Sequence, residues 1–224
     1  MNAKPLCLAG LTFAAGALTA ITIAAGPPMD LHDHHPLHDK MAESASPEGQ
    51  AKMMQEWMAM GEPTPAHAWL EHFIGEWDVT NYLYMEPGGE PQQSKASATC
   101  AWKIPGKWVE ESFEGSMMGM PFSGFGMTGF DNVKKQYVGT WMDTMGSGLY
   151  VSYGSVSPDM KVLTMFGKMD EPMTGEMGKT IMHQVTIHSE DHHTFEMYEV
   201  VYGEPFVVMK MDYRRNAMTN ASEE

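Results

Sequence analysis

The stretch from Gly115 to Asp143 constrains the fold more than any other part of the chain, because it reads as two strands and a tight polar connection. Residues 124–130 and 136–143 are joined by Asp131-Asn132-Val133-Lys134-Lys135, a link of hairpin length and composition. In the second run Val138, Thr140 and Met142 alternate with Tyr137, Gly139, Trp141 and Asp143, the period of a strand with two different faces. Gly124, Gly126 and Gly129 lie in the first run. Glycine inside a strand marks a bend, a bulge or a close backbone approach. A bent antiparallel hairpin of this kind suits a small closed barrel.

The rest of the chain continues the pattern. After a first strand at 78–85, strands are expected at 94–104, 108–117, 148–155, 161–167, 179–188, 193–202 and 205–214, about ten in all with the hairpin. Pro-Gly-Gly at 87–89, Pro-Gly at 105–106, Met-Gly-Ser-Gly at 145–148 and Ser-Pro-Asp at 157–159 supply breaks. No long helical pattern intervenes. The expected class is all-β, an antiparallel up-and-down barrel or a sandwich. A short helix precedes it at 66–73, where Trp69, Leu70 and Phe73 share a face.

Composition bounds the function. The chain has 224 residues and 43% hydrophobic content, enough for one domain with appendages. Its formal net charge of -15, with no basic run, argues against nucleic acid or an anionic membrane surface as partner. Lys4 followed by the apolar run from Leu6 to Ala25 reads as an export signal over 1–25, placing the protein in the periplasm or outside the cell. The run also has the length of a membrane anchor, so a membrane is a partner only if the segment stays uncleaved. Of two cysteines, only Cys100 then remains, and the fold must rest on its core rather than on a disulfide. Residues 26–64 read as a flexible linker, 65–215 as the barrel domain and 216–224 as a disordered tail. Within the linker, 53–60 form a short amphipathic helix pattern.

Several segments together resemble the DUF1579 family of bacterial proteins of unknown function. They are Trp69-Leu70, Phe73-Ile74-Gly75-Glu76-Trp77-Asp78-Val79, Met117-Met118-Gly119-Met120-Pro121-Phe122, Gly129-Phe130-Asp131, Tyr137 to Asp143 and Pro172-Met173-Thr174-Gly175. The resemblance covers about 66–215. It implies a calycin-like barrel, similar to lipocalins and fatty-acid-binding proteins, closed at one end by the N-terminal helix. It also implies that Trp77, of the Gly75-x-Trp77 motif, packs at the base beneath a basic side chain, Arg214 or Arg215, by cation–π stacking. The family brings no settled activity.

Candidate chemistry is sparse. His32, His34, His35 and His38, with Asp33 and Asp39, offer imidazole and carboxylate ligands for copper or zinc, against the plainer reading of a solvated tether. The 24 methionines suit Cu(I), but also suit a core or pocket lining that adapts to apolar ligands. His183 shares a strand face with Ile181, Val185 and Ile187. Inward, it is placed to ligate haem or to bond a ligand head group; the plainer reading is a core histidine bonded to a neighbour. Trp102, Trp141 and Tyr150 are expected near the cavity, and Met209 and Met211 to face it from the last strand. Glu110, Glu111 and Glu114 form an acidic patch, with Glu110 and Glu114 on the face of Trp108 and Ser112. Nucleophile elbows, phosphate loops and metalloprotease helices are absent, and no catalytic residue is assigned. Cys100, beside Trp102 in a strand, reads as a buried inert thiol. The expectation is an exported, noncatalytic barrel holding a small apolar or amphipathic molecule, with metal handling by the His and Met segments as the alternative and an enzyme of unknown reaction after that.

Overall fold

The structure is a computed structural model and describes residues 46–171, 174–201 and 204–216. A helix, α1 (Pro47–Met60), comes first and buries none of its side chains. A single helical turn, α2 (Pro65–Ala68), runs into a 3-10 turn, Trp69–Phe73. Thr64 caps α2: the His67 ring accepts from the Thr64 backbone N–H at 3.0 Å, and Pro65 stands where a helix needs no N–H.

Ten antiparallel strands follow: β1 (Gly75–Leu83), β2 (Gln92–Ile104), β3 (Trp108–Met117), β4 (Met120–Asp131), β5 (Gln136–Asp143), β6 (Tyr150–Val156), β7 (Val162–Glu171), β8 (Glu176–Ser189), β9 (His192–Val201) and β10 (Glu204–Arg215). Each pairs with the next, and β10 returns to β1, Val79 opposite Tyr213, so the sheet closes into a barrel and leaves no open edge. The sandwich alternative is thereby excluded. The strand-by-strand expectation holds with shifts at the ends. β1 starts at Gly75 rather than 78, because Gly75, Glu76 and Trp77 already pair with Cys100, Thr99 and Ala98 of β2.

Period-2 alternation sorts the walls. Trp77, Val79, Ala98, Val109, Phe113, Tyr137, Leu163, Met165, Ile181 and Tyr213 point inward and are almost wholly buried. The glycines make room for them. A side-chain carbon on Gly124 would collide with the Trp141 indole and one on Gly167 with the Tyr150 ring, and one on Gly126 would press tightly on the same indole. Gly129 is covered by Trp108 in the same way on the outer wall. The hairpin glycines are thus seats for cross-strand aromatic rings.

One end of the barrel is shut. Trp69, 4% exposed, and Leu70, fully buried, plug it. Trp69 Nε1 donates to the Met160 carbonyl at 2.8 Å, and Tyr137 Oη to the Ala66 carbonyl at 2.7 Å. Trp77 Nε1 donates to the Phe73 carbonyl at 2.8 Å. Of the two candidate cations, Arg215 takes the place over Trp77, 4.3 Å from its ring centre; Arg214 instead pairs with Asp212 at 2.8 Å. Arg215 also donates to Asp191 and to the carbonyls of Ile74 and Glu190. Gly75 must be glycine: its φ is +133°, and a methyl group there would strike the Arg215 guanidinium.

Candidate functional site

The β1–β2, β3–β4 and β5–β6 turns lie at the opposite end. β3 turns into β4 through Met118 and Gly119, both at positive φ (52° and 79°), the backbone of a two-residue hairpin turn. Met118 and Met120 are exposed there, so this part of the Met117–Met120 run lies at the rim rather than in the core. Descending from that rim, the inward-facing Leu83, Trp141, Tyr150, Met197 and Met209 are only half-buried, whereas Trp77, Leu163 and Met165 at the other end and mid-barrel are 1–2% exposed. The barrel therefore has a closed base and an accessible upper interior.

Most of the side chains expected at a cavity converge here. His183 faces inward at 8% exposure, as its alternation with Ile181 and Val185 requires. Its Nδ1 lies 3.4 Å from Tyr150 Oη and its ring 5.3 Å from Phe195. Burial pushes its pKa down to about 4, so the ring is neutral at physiological pH. Trp141 lies against Phe113 and donates from Nε1 to Asp143 at 2.9 Å. Met209 stands opposite Leu83 and Met197, and Met211 opposite Asn81 and Phe195. Trp102 is the exception: it pairs with Val109 near the closed end and belongs to the base.

The second polar group is one of the three carboxylates that the sequence clusters on β3, and the structure turns it away from the other two. Glu111 lies on the Val109, Glu111, Phe113 face of β3 and points inward. Tyr213 Oη donates to its carboxylate at 3.1 Å. Its side chain is half-buried and keeps some accessible surface. Burial, opposed by the Tyr213 hydrogen bond, raises its pKa to about 7. Burial also raises the Cys100 thiol opposite it, with the Glu111 charge adding to the effect, so Cys100 is inert as expected. Nearer the rim on the same wall, Asn81 is 5% exposed and its buried Oδ1 has no hydrogen-bond partner. Strict alternation in Val-Glu-Glu-Ser-Phe was the available signal for Glu111. The outward Glu110 and Glu114 obscured it; Glu110 pairs with Lys103 at 2.8 Å on the outer wall.

Two open grooves, of about 520 and 490 Å³, lie mainly on the outer wall. The first is lined by Ser112, Glu114, Phe125 and Met142, the second by Val151, Tyr153 and Phe166. Neither gathers the inward polar groups. Among the described residues no group of three or more His, Cys, Asp and Glu side chains is arranged to hold a metal ion. His32, His34, His35 and His38 lie outside the described residues, as does the apolar run at 6–25. Among the described residues no helix is long and apolar enough to cross a membrane.

A ten-stranded closed antiparallel barrel with a plugged base and a polar group set into an apolar interior is the class these features define. The chain belongs to DUF1579, a family of proteins of unknown function, whose sequence pattern matches residues 62–215. Among solved structures it is similar to Rv2717c from M. tuberculosis, at 15% identity and a TM-score of 0.47, covering 69% of this chain and 99% of that one. No curated protein matches this chain.

Proposed function

We propose that the barrel is a noncatalytic binding protein that takes one small apolar or amphipathic molecule through its open end, in a protein carried out of the cytoplasm by residues 1–25. The observation that carries this reading is the contrast between the two ends: inward Trp141, Tyr150, Met197 and Met209 keep accessible surface while the base is sealed. Apolar and aromatic lining with a few polar groups is the usual make-up of a small-molecule site. Methionine suits such a wall because its unbranched thioether repacks around different shapes. His183 and Tyr150 supply the polar contact on one wall.

The neutral fluorescent probe N-phenyl-1-naphthylamine tests the reading. Expected are saturable binding of one probe per chain, quenching of tryptophan fluorescence through Trp141, and loss of both in Met209→Asp. That variant places a charge among Leu83 and Met197. It should stay folded, since Met209 is half-buried and at the accessible end. Saturable binding that survives Met209→Asp in a folded protein sets the site elsewhere, and no saturable binding at all removes the reading. N-terminal sequencing of the native protein tests the export step: a mature start near residue 25 is expected, and an intact Met1 on soluble cytoplasmic protein ends it.

A further inference from the structure

The charges that face the interior do not balance. Among the described residues, two cations point inward, and both are committed. Lys179 Nζ lies 2.8 Å from Glu199, and Arg215 bonds Asp191 and two carbonyls at the base. Of the inward carboxylates, Glu199 is matched by Lys179. Asp143, at the rim, accepts from Trp141 Nε1 and the Met145 backbone N–H, both neutral donors. Glu111, deep in the wall, accepts from the Tyr213 hydroxyl. The unmatched interior charge is therefore negative.

Two inward groups have unmet capacity of the same sense, while a third, the buried Nδ1 of His193, takes either role according to its tautomer. A carboxylate accepts only, and Glu111 has acceptor positions beyond the one Tyr213 fills. Asn81 turns its amide nitrogen toward Ser94 Oγ at 3.5 Å and leaves its buried oxygen unpartnered. Both are acceptors that want a donor. Glu111 keeps accessible surface, so protein does not cover it completely. A free carboxylate reaching Glu111 and Asn81 would meet like charge, no available cation and acceptors facing acceptors, in surroundings of low dielectric where such mismatches are least screened.

We propose, building on the binding function argued above, that the barrel selects an apolar molecule with a protonated amine head, which docks against Glu111, and discriminates against fatty-acid anions. The apolar tail lies along the Met197 and Met209 wall toward the rim. Asn81, placed between Glu111 and the rim, offers its oxygen to a donor on the ligand.

Competition against N-phenyl-1-naphthylamine on the full chain tests this with three ligands of one chain length, dodecylamine, dodecanol and dodecanoate, below their micelle concentrations and at about pH 8, where an acid of pKa near 7 is mostly ionised. Expected is displacement by the amine at a concentration at least ~10-fold below that of the acid, about the least that one desolvated charge contact contributes. In Glu111→Gln, which keeps the shape and an acceptor for Tyr213, the ratio should collapse to within roughly 3-fold. Dodecanoate binding as well as the amine, or a preference that persists in Glu111→Gln, overturns the head-group assignment. Equal binding of all three also overturns it while the binding function stands. Absence of probe binding in the parent overturns both.

Discussion

Glu111 is the residue whose ionisation the fold resists. Its pKa in the folded protein rises from 4.5 to about 7 through burial, only partly offset by the Tyr213 hydrogen bond. The folded state then holds a proton that the unfolded chain releases between those values. Stability is fullest below the unfolded pKa, falls as pH rises toward 7, and stays reduced above it. The loss is on the order of 3 kcal/mol for a shift of this size. Glu111→Gln should remove that slope: urea unfolding at about pH 8 should show the variant more stable than the parent, and the two should converge near pH 4. A variant less stable than the parent at both pH values would mean that the charged carboxylate is held by contacts that favour it. The comparison must be between the two proteins. Asp131, Asp159 and Asp212, whose pKa values hydrogen bonds and nearby cations hold low, lend stability that disappears in acid and is common to both.

At the scale of the element, the hairpin β4–β5 shows what sequence conveys and what it omits. Its existence, its short polar link and the two faces of β5 were all legible, because alternation and turn chemistry are local; Asp131 still pairs with Gln136, so the link shortens to 132–135. The Asp131 carboxylate confirms the link by accepting from the backbone N–H groups of Val133 and Lys134 at 2.8 and 2.9 Å. The inward face of His183 was legible for the same reason, since Ile181, Val185 and Ile187 declare it. What was not legible is what fills the space over each glycine, since the ring comes from a neighbouring strand: Trp141 over Gly124 and Gly126, Tyr150 over Gly167. Nor could spacing decide between Arg214 and Arg215, because that depends on where β10 ends against β1. Residue type alone points Trp102 to the cavity; the register puts it at the base. The glycine seats give a double-mutant test. Gly124→Ala should destabilise by about 1–3 kcal/mol through collision with the indole. Combined with Trp141→Leu, which removes the ring, its cost should fall below the sum of the single changes, by at least ~0.5 kcal/mol of coupling. Strict additivity in urea unfolding would mean that Trp141 does not rest on that glycine in solution.

At the scale of the whole molecule, the barrel closes only where its first and last strands meet, and Arg215 sits on that seam. Its guanidinium covers Trp77 on β1, bonds the carbonyl of Ile74 where the chain enters β1, and bonds Asp191 and the Glu190 carbonyl in the turn between β8 and β9. One side chain thus ties three stretches that are far apart in sequence, on contacts that form only after long loops have closed. The planar fork is what reaches three acceptors while its face lies on the indole, and a lysine ammonium offers neither the plane nor the spread. Arg215→Lys should therefore behave as a large change despite keeping the charge. A loss of about 1–3 kcal/mol is expected, the sum of a cation–π contact and partly exposed charged hydrogen bonds, with an unchanged denaturant slope if the variant still unfolds in one step. Arg215→Leu should lose at least as much, because it also strands the Ile74 carbonyl. Amide exchange should locate the effect: protection should fall first in β1 and β10, at Val79 and Tyr213, before it falls in the β4–β5 hairpin, whose pairing is local. If Arg215→Lys matches the parent in stability and in its protection pattern, charge alone suffices at the base, and the closure of the barrel rests on strand pairing and the buried Trp77 core without the fork.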